Sequence, residues 1–71
     1  MTRVLYAQDR RTKQIRPIVT WHDDGTLTSE DEQMANAIAR LRDKRRWSGE
    51  QIFDYCAGLS DAYVRYFETS G

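Results

Sequence analysis

Residues 53–67 run FDYCAGLSDAYVRYF, and the fold turns on what the chain does after Gly58. A helix over about residues 49–57 carries Ile52, Phe53 and Cys56 on one apolar face. Gly58 stands where a glycine relieves the left-handed conformation that ends many helices. Ser60 is an N-cap candidate, and Leu59 and Val64 are spaced as a hydrophobic staple. The stretch therefore predicts a new helix over about residues 60–69, with Val64 and Phe67 turned inward.

Two more helix starts lie upstream. Ser48, with Gln51 three residues on, forms a capping box for the 49–57 helix. Ser29-Glu30-Asp31-Glu32 forms another, the serine hydroxyl accepting from a backbone amide while Glu32 reaches back, and its acids suit the positive end of the helix dipole. Met34, Ala37, Ile38 and Leu41 then fall at i, i+3, i+4 and i+7, which predicts an amphipathic helix over about residues 29–45.

The first 28 residues have strand character instead. RVLYAQ predicts a strand over residues 3–8, and IRPIVTW one over 15–21. Strict alternation puts Ile15, Pro17, Val19 and Trp21 on one face, with Ile18 and Thr20 on the other. Pro17 cannot donate to a ladder, which suits an edge or a strand's beginning. Asp24-Gly25 marks a reversal, so residues 26–28 are expected to return as a short third strand. The expected fold class is α+β: an N-terminal β-hairpin or small three-stranded antiparallel sheet over residues 1–28, then a bundle of three helices over 29–69. All 71 residues form a single domain.

So short a chain buries only about 60% of its unfolded surface, so apolar clusters are expected to be core. No apolar run approaches the roughly 20 residues that span a bilayer, and MTRVLYAQDRRTK lacks the apolar segment of a secretory signal. The lone Cys56 has no partner for an internal disulfide, and no Cys/His spacing suggests zinc. A cytoplasmic protein without cofactor or metal is expected, with no membrane partner.

The charges balance at 11 basic and 11 acidic residues, whereas a small nucleic-acid binder usually shows a basic excess. They are segregated along the chain. Residues 1–21 and 40–46 are basic, while residues 22–32 and 47–71 are acidic.

Residues 50–67, EQIFDYCAGLSDAYVRYF, resemble the helix-turn-helix superfamily of DNA-binding domains. The match lies in Phe53 and Ala57 as inward positions, Gly58 at the turn, Leu59 after it, Ser60 as cap, and Val64 and Phe67 as buried positions. It covers residues 29–69 once the helix at 29–45 is added. Asp54 departs from the pattern, standing where the superfamily places a small residue. The resemblance implies a trihelical, helix-turn-helix-like bundle whose last helix enters the major groove. Carried over, its base-facing positions are Ser60, Asp61, Ala62, Arg65 and Tyr66, with Arg65 suited to a bidentate contact on guanine. Backbone contacts would then fall to Arg42, Lys44, Arg45 and Arg46, with the turn Arg10-Arg11-Lys13 as a second anchor.

Each feature also has a plainer explanation. A basic run at a helix C-terminus is often a solvated face matched to the dipole, and a basic turn is often solubilising. His22-Asp23-Asp24 before a glycine is characteristic turn chemistry. Free cysteine is commonly core. Trp21 and Trp47 are expected to close the sheet against the helices, with Tyr55 and Tyr66 exposed. No phosphate loop, nucleophile elbow or carboxylate pair is present, and an enzyme is not expected.

Two functions follow. One is a transcriptional regulator of phage or mobile-element type, binding DNA as a dimer on a palindromic site. The other is a non-enzymatic protein-binding module or inhibitor of the same type, blocking a host protein complex through charged and aromatic surface residues.

Overall fold

The computed structural model describes residues 2–68. Two strands, β1 (Arg3–Asp9) and β2 (Ile15–Trp21), pair antiparallel along their length. The turn between them is built by Asp9, whose Oδ1 accepts from the amides of Arg11 at 2.8 Å and Thr12 at 3.1 Å. At the far end of β2, His22 N donates to Thr26 O at 2.8 Å around Gly25, whose φ is +90°. Asp24 Oδ1 holds this turn by accepting from Thr26 N and Thr26 Oγ1. The chain returns as β3 (Leu27–Thr28), as the Asp-Gly signal predicts. His22 Nε2 lies 2.7 Å from Thr28 Oγ1 across this hairpin, so the His-Asp-Asp stretch serves the turn.

Two helices follow, α1 (Glu32–Asp43) and α2 (Gly49–Ala57). Asp31, not Ser29, caps α1, its side chain accepting from the amides of Gln33 and Met34. The expected start at residue 29 is therefore early by about a turn: Ser29 Oγ accepts only from Asp31 N, at 3.1 Å, and the amides of the first helical turn go to the Asp31 carboxylate. Ser48 and Gln51 make the reciprocal capping box of α2.

After Gly58 the expectation of a third helix fails. Residues 64–68 form β4 (Val64–Glu68), which pairs antiparallel with β1, and the sheet order is β3-β2-β1-β4. The fold is a four-stranded antiparallel sheet with two helices, not a small sheet followed by a trihelical bundle. Val64, Tyr66 and Phe67 are β-branched or aromatic and favour a pleated surface. The free edge of β1 supplies the backbone partners, which a helix at 60–69 would have left unpaired. Gly58 has φ −87°, so it ends α2 without the left-handed geometry expected of it.

Both helices pack on one face of the sheet. The core is Leu5, Ala7, Ile18, Val19, Met34, Ile38, Ile52, Phe53 and Cys56. Strict alternation in β2 does not hold, because Val19 pairs with Leu5 while Pro17 pairs with Tyr6, leaving Ile18 as a bulge. Both Ile18 and Val19 are buried as a result, while Ile15 and Pro17 turn to the opposite face. Arg3 joins the helix side, its guanidinium 4.8 Å from the Phe53 ring and 5.1 Å from Trp21, and bidentate to Glu68. Among the described residues, no helix is long and apolar enough to cross a membrane.

Candidate functional site

The residues named for DNA recognition do not share a helix. Ser60, Asp61 and Ala62 lie in the loop before β4, and Arg65 and Tyr66 lie in β4 with side chains on opposite faces. Ser60 Oγ accepts from Tyr66 N at 2.9 Å, and Asp61 Oδ1 accepts from Tyr63 N at 2.7 Å and Val64 N at 2.8 Å. These amides, Val64's first and then Tyr63's, hold the Asp61 carboxyl below its usual range, with Arg10 adding to the shift. The contact resembles a helix N-cap, yet the chain leaves it as a strand. Tyr66 faces the helices and is half-buried, and that burial pushes its phenol pKa up, assisted by the negative charge of Asp61.

The basic clusters are separated as well. Arg10 is tied to the loop, Nε donating to Asp61 O at 2.7 Å and N to Tyr63 O at 3.0 Å. Arg11 sits on the β1–β2 turn beside it. Arg42, Lys44, Arg45 and Arg46 belong to the other end, where Arg42 lines a cleft with Gly25, Trp47 and Gly49. The basic β1–β2 turn and the basic C-terminal end of α1 therefore form two patches, and Arg65, on β4 opposite Gln8, lies beside the first.

The open face of the sheet carries Tyr6 at its centre, flanked across the strands by Phe67 and Pro17. Phe67, expected inside, is here because the β4 register places it opposite Tyr6. Its ring stacks on Tyr6 at 5.8 Å, and the Arg65 guanidinium covers it at 4.8 Å. Arg65 also donates to Gln8 Oε1 at 3.3 Å. The aromatic surface of Phe67 is thus engaged from within the chain, by Tyr6 and Arg65.

The helix side differs. Ala37, Arg40, Leu41, Lys44, Arg45 and Tyr55 line a shallow groove of about 300 Å³ between the end of α1 and α2. Tyr55 is 46% exposed there and packs edge-on against Trp47 at 5.6 Å. Arg45 leans over Trp47 at 5.8 Å. Arg42 is neutralised by Asp43 at 3.0 Å, but no ion pair among the described residues includes Arg40, Lys44 or Arg45. The turn that creates this arrangement is tight: Lys44 N donates to Arg40 O, Trp47 N donates to Leu41 O, and Arg46 takes a φ of 57°.

Carboxylates gather elsewhere. Glu50 and Asp54 on α2 act on Arg3, whose guanidinium pKa is raised chiefly by its hydrogen bond to Glu68. The surface is therefore basic at the end of α1 and mixed along the outer flank of α2. Of the four cations named for backbone contacts, Lys44 and Arg45 line the groove and Arg42 and Arg46 do not, whereas Arg40, which was not named, does. Arg40 and Lys44 are four apart, in the last turn of α1 and at its C-cap, a spacing that could have joined them. The Trp47–Tyr55 contact depends on how α1 and α2 cross, which no local pattern discloses. No family model matches the chain, and neither a curated protein nor a solved structure does so.

Proposed function

We propose that the chain is a small non-enzymatic protein-binding module that takes its partner at the groove between α1 and α2. The observation that carries this is the exposed Tyr55, held edge-on by Trp47 beside Arg40, Lys44 and Arg45, which form no ion pair among the described residues. Aromatic and arginine side chains are the residue types enriched at protein interfaces. The balanced net charge and the acids on α2 disfavour a long polyanion, whose binding rests on neutralising many phosphates. A groove this open does not enclose a small molecule, whose sites bury most of the ligand.

The test is capture from nuclease-treated cell extract by the tagged chain. One stoichiometric protein is expected with the wild type and with Arg65→Glu, and lost with Tyr55→Ser. Capture that disappears on nuclease treatment, or that survives Tyr55→Ser but not Arg65→Glu, overturns the proposal.

A further inference from the structure

Resting on that reading, we infer that the occupant of the groove is an acidic amphipathic helical segment of the partner protein. Arg40 in the last turn of α1 and Lys44 at its C-cap lie one turn apart, about 6 Å along the axis, and both line the groove with Arg45. A partner helix laid beside α1 presents carboxylates at the same one-turn interval, so two ion pairs form in register. Between the cations and the Tyr55 ring the groove lining is apolar, from Ala37 and Leu41, and receives an apolar side chain from the same face of the incoming helix. This is the helix-in-groove mode, in which apolar anchors set affinity and flanking charges set orientation.

Charge complementarity singles out this occupant. The cations stand on one wall only, at the last turn of α1 and the residues just past it, and the facing wall offers the Tyr55 ring, Trp47 behind it and no cation among the lining residues of α2. A nucleic-acid backbone, charged at every step, needs cations along its path, whereas a helix with one acidic edge and one apolar edge matches one basic and one aromatic wall.

The experiment measures fluorescence anisotropy of a short labelled peptide bearing leucine and glutamate at helical spacing, at physiological salt. Controls are the same peptide with its leucines changed to alanine, and an oligothymidylate of equal charge. Binding is expected for the first peptide and at least about tenfold weaker binding for both controls. Lys44→Glu is expected to weaken the peptide at least about tenfold, and a peptide with lysine at the matching positions to regain affinity for that variant. Equal or tighter binding of the oligothymidylate, or affinity indifferent to Lys44→Glu, overturns the inference. If extract capture is lost with Tyr55→Ser but unchanged by Lys44→Glu, the groove stands as the site and the acidic occupant does not.

Discussion

Ser60 Oγ lies 2.9 Å from the amide nitrogen of Tyr66 and accepts its hydrogen on the outer edge of β4. The same hydroxyl lies 3.4 Å from Tyr66 O, and Asp61 takes the amide of Val64 and donates its own to Val64 O at 2.9 Å. The loop before β4 thus occupies backbone groups that an incoming strand would use, which protects an exposed edge. Ser60→Ala is expected to lower stability by about 1 kcal/mol and to raise the tendency to self-associate. Urea denaturation and analytical ultracentrifugation check the two parts separately.

Glycine has opposite roles at the two ends of α2. A Cβ on Gly49 would lie 3.1 Å from Gly25 O and 3.2 Å from Trp21 Nε1, and the first of these is backbone. Gly49→Ala is therefore expected to cost about 1–3 kcal/mol. A Cβ on Gly58 meets only ordinary contacts, at 3.6 Å from Tyr55 O and 3.7 Å from Asp54 O, and its φ suits alanine. Gly58→Ala is expected to stabilise by about 0.4–1 kcal/mol through the unfolded chain. Thermal denaturation of the pair checks the contrast, and a helix-turn-helix bend would reverse it at Gly58.

Much of the first half was legible because its signals are local. Alternation marks β1 and β2, Asp24-Gly25 makes its reversal, and the Ser48–Gln51 box starts α2. The failures share one cause. Ser60, Asp61 and the inward spacing of Val64 satisfy a helix start and a capped strand edge equally well, and the free edge of β1, some 55 residues away in sequence, decides between them. The Ile18 bulge was hidden for the same reason, since only pairing with Leu5 and Tyr6 reveals the extra residue. The basic run was visible, but the aromatic wall that gives it a use arises from the crossing of two helices.

Arg46 pays a conformational penalty at φ 57°, where side chains other than glycine are disfavoured by about 1–2 kcal/mol. It is absent from the groove lining. Arg46→Gly is expected to raise stability by about 0.5–1 kcal/mol while leaving partner capture intact. A DNA-gripping role for this residue would instead show as loss of binding. Chemical denaturation and the extract capture read the two effects.

Acid should weaken the fold through groups that can be named. Hydrogen bonds from backbone amides lower the carboxyl pKa of Asp9 and Asp61, hydrogen bonds from Thr26 that of Asp24, and Arg3 that of Glu68. A depressed pKa contributes stability that is present above the ordinary carboxylate value of about 4 and lost as pH falls through the lowered value. Urea midpoints are expected to hold from neutral pH to about 5 and to drop below about 4. Asp61→Asn should flatten part of that acid limb, and an unchanged profile would remove Asp61 from the explanation.

The most direct measurement is hydroxyl-radical footprinting of the chain alone and in its nuclease-treated, captured complex. Labelling of Tyr55, Trp47 and Leu41 is expected to fall on capture, while Ile15 and Tyr63, exposed at 56% and 79%, keep their labelling. Protection of Tyr6, Ile15 and Phe67 with Tyr55 still labelled would place the partner on the open sheet face and contradict the groove.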